Sequence, residues 1–270
     1  MELSALDSVA SAGIVVSLAH KAAMQSSFPM LKKNYKFSKL LFFGKVLGKV
    51  GDYLIAMGIE ESFTAGKKFF FCADGVSWAQ LPPGTEAMMA LCAKLPDGLA
   101  FTGDISHMYA IAADAVPEGD EGDEPPEPPK LSEEERLAVL VTMLDMENSL
   151  APAGALTMLG TGAVVASPSF PGLSAAVVGD LTSYVSINKP KAKDMLATAA
   201  TAASDFLTSA SSIVPKGALC TRLDEATGIT TIRNLLYPGF VSYSTAGTKA
   251  WGNCYCGTGE KNADIAFMLP

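Results

Sequence analysis

Charge is scarce in this sequence. Lys, Arg, Asp and Glu make up 18% of its 270 residues, against about 25% in ordinary soluble domains. Histidine and tryptophan occur twice each, so neither supplies a cluster that could carry chemistry. No charged residue stands between Asn148 and Gly179. That stretch invites a transmembrane reading, but Pro152, Pro168 and Pro171 divide it. Its longest proline-free piece, 153–167, is rich in Gly and Thr. It is too short to cross about 30 Å of hydrocarbon, and no membrane span is expected. The first residues carry Glu2 and Asp7 and no basic stretch, so no secretion signal is expected either.

Cysteine is sparse and unpatterned. Cys72, Cys92, Cys220, Cys254 and Cys256 are odd in number and form no disulfide framework. Cys254 and Cys256 would share one face of an extended stretch with Cα atoms about 7 Å apart, too far for an easy disulfide. Zinc would need two further donors, and no C-x-x-C or H-x-x-x-H spacing offers them. Reduced thiols packed as small apolar groups are expected, with no metal and no cofactor.

Catalytic signatures are missing as well. There is no G-x-S-x-G, H-E-x-x-H or phosphate-binding G-x-x-x-x-G-K pattern. Ser186 and Lys189 form an S-x-x-K that two free positions make common by chance. Gly160 and Gly162 suggest a dinucleotide turn without the strand–helix–strand unit it needs. His20 and His107 have no partner pattern. The expectation is a chain that is not an enzyme.

The charge that exists is unevenly placed. Of the formal net charge of −8, residues 114–135 hold ten acids and one base, Lys130, leaving the rest of the chain at +1. Mean hydropathy is +0.27, which excludes a disordered chain. A near-neutral apolar body would be poorly soluble alone, so surface covered by other proteins is expected. The acidic total argues against nucleic acid as a partner. Residues 114–130 carry five prolines among the acids and read as an extended solvated linker, dispensable for folding. Lys32, Lys33, Lys36 and Lys39 form a basic patch, and no acid occurs from Lys21 until Asp52. The patch reads as a solvated rim or a docking surface for an acidic partner.

Periodicity gives an outline. Leu3, Leu6, Ala10, Ile14 and Leu18 predict an amphipathic helix over 2–26, stopped by Ser26, Ser27 and Pro29. Runs at 40–50, 53–59 and 68–73, separated by turn residues, predict an antiparallel meander. Thr85 is placed to cap a short helix over 86–94. Ser132 and Glu135 predict a capping box ahead of the stripe Leu137, Leu140, Val141 and Leu144. Further helix is predicted over 174–186 and helical turns over 191–209. Two antiparallel hairpins are predicted last, 218–223 with 229–233 and 240–244 with 251–256. The fold class is α+β: an antiparallel meander and hairpins with packed helices and an acidic proline-rich insert. One domain is expected over 1–270, in three parts: 1–113, the linker 114–130, and 131–270. The β runs near the two ends should share one core or two packed sheets.

Several longer runs are distinctive. They are Phe43-Gly44-Lys45-Val46-Leu47-Gly48 with Asp52-Tyr53, then Trp78, Leu81, Pro82, Pro83 and Thr85, and Phe101-Thr102-Gly103-Asp104. Later come Pro215-Lys216-Gly217, Tyr237-Pro238-Gly239, and Gly257-Thr258-Gly259-Glu260-Lys261-Asn262 followed by Asp264, Phe267, Met268, Leu269 and Pro270. In this order, over residues 30–270, they resemble the radial spoke head proteins. The N-terminal half also resembles the larger members, radial spoke head proteins 4 and 6. The resemblance implies a non-enzymatic structural subunit of the axonemal radial spoke head in the cytoskeleton of motile cilia and flagella. It would be needed for head assembly and for motility control between the central pair and the dynein arms. The implied partners are radial spoke head proteins 4 and 6, further head and neck proteins, and central-pair projections. Lys32, Lys33, Lys36 and Lys39 are the candidate rim. Ile265, Phe267, Met268 and Leu269 are expected to be buried, in this subunit or against a neighbour.

Overall fold

The computed structural model describes residues 1–96, 98–111, 130–191 and 205–268. The acidic linker, apart from Lys130, lies outside the described residues, as do 192–204 of the alanine-rich stretch.

The fold is α+β, built on an eight-stranded sheet whose strands come from both ends of the chain. From the N-terminal side come β1 (Lys39–Val46), β2 (Tyr53–Ile59), β3 (Lys67–Cys72) and β4 (Ala79–Gln80). From the C-terminal side come β12 (Leu219–Asp224), β13 (Ile229–Asn234), β14 (Phe240–Thr245) and β15 (Trp251–Gly257). The order is β12-β13-β14-β15-β1-β2-β3-β4. The expected meander and both expected hairpins are present, each antiparallel. One junction differs: β1 and β15 run parallel, with Gly44 opposite Tyr255.

Both faces of this sheet are covered, which is why β2 reads as an unbroken apolar run and not as an alternation. Phe42, Leu54, Ala56, Phe70 and Tyr243 face one side, under Leu6, Val9, Met24, Phe28 and Leu31 of the N-terminal helices. Phe43, Tyr53, Ile55, Phe240 and Tyr255 face the other, under Leu137, Leu140, Val141 and Leu144 of helix α3 (Glu133–Asn148). The predicted stripe on α3 is thus buried, and Ser132 and Glu135 make the predicted capping box. Helix α2 (Glu86–Cys92) starts where Thr85 accepts from the Met88 amide.

The N-terminal helix departs from expectation. Leu3–Ala12 is a 3-10 helix ended by Gly13 at φ 91°. Helix α1 then runs from Leu18 to Tyr35, straight through Ser26, Ser27 and Pro29. Burial of Met24, Phe28 and Leu31 outweighs the amide hydrogen bond that Pro29 cannot make, and Pro29 itself is exposed. Leu18, counted in the apolar stripe, is 83% exposed because the break at Gly13 changes the helix phase.

The helix expected over 174–186 is also absent. A short 3-10 turn, Leu181–Ser183, leads into strand β10 (Tyr184–Pro190). There Tyr184, Ser186 and Ile187 are buried, and Tyr184, Val185 and Ser186 pair with Pro152, Ala151 and Leu150 of β7 (Leu150–Pro152). Within the alanine-rich stretch, Leu207–Ser209 is strand β11 and not helix. Strands β11, β10 and β7 form a second, three-stranded sheet. Two further strand pairs are present among the described residues: β5 (Met108–Ala110) with β6 (Lys130–Ser132), and β8 (Leu156–Met158) with β9 (Val164–Ala166).

Candidate functional site

The runs around 43–53, 101–104, 237–239 and 257–262 converge at one corner of the main sheet, where β1, β15, the 101–104 loop and the start of α3 meet. Glu133, first residue of α3, is fully buried there. Its Oε1 accepts from the Tyr53 hydroxyl at 2.7 Å and the Gly103 amide at 2.8 Å. Its Oε2 accepts from the Thr102 amide at 3.0 Å, the Thr102 hydroxyl at 2.6 Å and the Tyr109 hydroxyl at 2.7 Å. Burial works to raise its pKa, but the bonds from Thr102, Tyr109 and Tyr53 outweigh burial and hold it at about 2. The Tyr53 hydroxyl is pushed above its ordinary range, by burial first and then by Glu133. Arg136 donates to the Tyr109 hydroxyl at 3.0 Å and to the Leu99 carbonyl, with its guanidinium 4.2 Å from the Phe101 ring centroid.

A carboxylate with every lone-pair direction used and its proton gone at neutral pH is a tie between elements, not an acid or a base. It joins β2, the 101–104 loop, β5 and α3. Sequence reasoning placed Glu133 only in the acidic run ahead of the helix. Its position beside Ser132 at a helix start was the available signal, since a carboxylate in a first turn faces unpaired amides.

The motif glycines mark where backbones touch. A Cβ on Gly44 would lie 2.1 Å from the Tyr255 carbonyl oxygen, across the parallel β1–β15 contact. Gly103 has φ +90° and a Cβ there would lie 2.4 Å from the Gly51 amide nitrogen. Gly48 bridges to Phe101, and its amide donates to Asp52, which also pairs with Lys45 at 3.0 Å. Gly257 packs on the Tyr255 ring, whose hydroxyl accepts from the Gly259 amide at 2.7 Å. Lys261 pairs with Glu147 at 3.1 Å, over the Tyr237 ring. The Asn262 amide donates to the Leu236 carbonyl. Asp104 accepts from the Ser106 amide, and Glu260 is exposed. Trp78 and Pro82 stand apart from this corner. Trp78 donates to Ser27 at 2.9 Å and packs edge-on against Phe28, while Pro82 follows Leu81 off the edge of β3.

Lys32, Lys33, Lys36 and Lys39 are all exposed. The C-terminal candidates divide. Ile265 is buried, whereas Phe267 is 89% exposed and so is not buried within this chain. It lies on the final turn, α4 (Ile265–Met268), too short to bring both faces against the core. The Met268 side chain and Leu269 lie outside the described residues. Burial raises Cys72 and Cys254 to about 12 and Cys92 to about 11, values that keep a thiol unreactive. Among the described residues no group of three His, Cys, Asp or Glu converges, and no helix is long and apolar enough to cross a membrane.

Comparison with known proteins gives relatives that match almost end to end. The radial spoke head protein 9 homolog of Danio rerio is 36% identical over 269 residues, covering 98% of this chain and 97% of its own length. Chain identity at that level and coverage decides the family. The chain belongs to the radial spoke head protein 9 family. The Bos taurus and Homo sapiens homologs are 33% and 32% identical, each covering 99% of this chain and 98% of their own. No family model matches the sequence. The radial spoke head protein 9 likeness therefore spans both the glycine corner and the elements that depart from expectation.

Proposed function

We propose that the chain is a non-enzymatic structural subunit of the axonemal radial spoke head, assembled with the paralogous radial spoke head proteins 4 and 6. There it supports head assembly and motility control between the central pair and the dynein arms. The observation that carries this reading is the end-to-end likeness to proteins named radial spoke head protein 9 homolog. The chemistry agrees with it. The motif residues tie backbones together, and Glu133 is sealed by five donors instead of facing an opening.

In this reading Lys32, Lys33, Lys36 and Lys39 form a rim that orients a neighbour, and Phe267 is an apolar contact on the tail. The test is co-expression with either paralogue followed by sizing chromatography, together with salt extraction of axonemes. A complex at micromolar concentration and resistance to salt washing are expected. A stable monomer that washes off would refute the assignment. Truncation after Lys261 removes buried Ile265 as well as Phe267, so Phe267→Asp is the cleaner variant. It should leave the melting temperature unchanged and weaken the complex by about tenfold, as for one apolar interface anchor. Reversal of three lysines should weaken it in a salt-dependent way.

A further inference from the structure

Three hollows of about 610, 470 and 640 Å³ share Lys39 in their walls. The two larger ones also share Glu2, Ser4 and Leu41, so they adjoin along the start of β1. One end of this run lies against Phe28, Pro29 and Lys32 of α1. The other reaches Ile187 of β10, with a floor that includes Leu41, Met57, Phe63 and Trp251. Leu41, Met57 and Trp251 are only half-buried, so apolar surface still faces the opening.

Positive charge prevails in the walls of the two adjoining hollows. Lys67 is taken up by Asp145 at 2.6 Å, both side chains 8% exposed, and that pair is neutral overall. In the two larger, adjoining hollows Lys32, Lys39 and Lys249 remain, set against Glu2; the 470 Å³ hollow adds Glu60, which pairs with Lys68, and exposed Glu61. The Lys39 ammonium is held over the Phe63 ring at 5.6 Å, with the apolar floor beside it.

We propose that this groove docks an extended segment of a partner protein, with apolar side chains alternating with acidic ones. Apolar anchors seat on the Leu41–Trp251 floor, and carboxylates face Lys32 and Lys39. Each hollow alone has the size of a small-ligand site. Two in a row are longer than such a ligand fills and suit successive side chains of one extended chain. The net charge of −8 disfavours a nucleic acid as occupant. The assignment rests on the groove's shape and charge and holds whether or not the chain works in a spoke head.

Fluorescence anisotropy with the full chain tests it, using three labelled ten-residue peptides. The first alternates Leu or Phe with Glu, the second carries Lys for Glu, and the third carries Ser for the apolar residues. The first should bind at least about tenfold tighter than the others, as expected of complementary charge over an apolar floor. Lys39→Glu should abolish that preference. Ala166→Trp, at an exposed position in the walls of two of the hollows, should block binding with no change in melting temperature. Equal binding of all three peptides, no binding of the first, or tight binding that survives both substitutions would each overturn the proposal.

Discussion

A buried carboxylate surrounded by donors gives up its proton readily, and Glu133 is in that state at about 2 instead of the ordinary 4.5. Its folded-state pKa is depressed, so its contribution to stability is complete above 4.5 and is lost as pH falls through about 2. Glu133→Gln keeps the shape but offers an amide where the Gly103 amide or a tyrosine hydroxyl needs an acceptor. At neutral pH it should destabilise the protein by about 2–4 kcal/mol, the range for a buried charged hydrogen-bond network that loses a partner. Urea unfolding of both proteins at a series of pH values checks this. The gap should narrow between pH 4.5 and 2, and a gap constant across that window would show that Glu133 is not held as an anion.

At the scale of elements, the glycine-spaced first strand is explained by its parallel neighbour. Gly44 lets β15 approach, so Gly44→Ala should cost about 2–3 kcal/mol, as overpacking against fixed backbone does. Gly160→Ala, at a position with nothing within 4 Å, should change stability by less than about 0.5 kcal/mol. Thermal unfolding of the two variants side by side decides it, and equal effects would mean the β1–β15 contact yields freely. Seven of the eight strands of the main sheet and two helix starts are legible in the sequence because their signals are local: alternation, turn residues, Thr85, and Ser132 with Glu135. The parallel pairing of β1 with β15 has no local signal. Tyr184 to Ser186 falls at the end of the helix predicted over 174–186 because apolar spacing over a short stretch fits either period. Its outcome was set by a distant partner, β7. The Pro29 error had the same source, since propensity gave way to tertiary burial. At the site, the glycines and Tyr53 could be picked out as a pattern, whereas Glu133 was hidden in a run of acids.

At the scale of the molecule, the acidic insert leaves and returns at one place. Ala110 pairs with Lys130 across β5 and β6, so residues 112–129 span ends that are already adjacent. Replacing them with a four-residue turn should preserve the fold and raise stability by about 1 kcal/mol through cheaper loop closure. Calorimetry of the shortened chain measures this, and loss of cooperative unfolding would mean the insert belongs to the core. The main sheet poses the opposite problem. Its central contact joins Gly44 to Tyr255, on strands far apart in the chain. Until β15 is made, β1 has an open edge on that side, a state prone to wrong pairing. A chain interrupted anywhere before residue 251 therefore cannot join the two halves of the sheet. Pairing across so long a separation also makes closure a slow, late event. Strand order thus makes β15 the element on which the middle of the sheet depends: without it, β14 and β1 have no common partner.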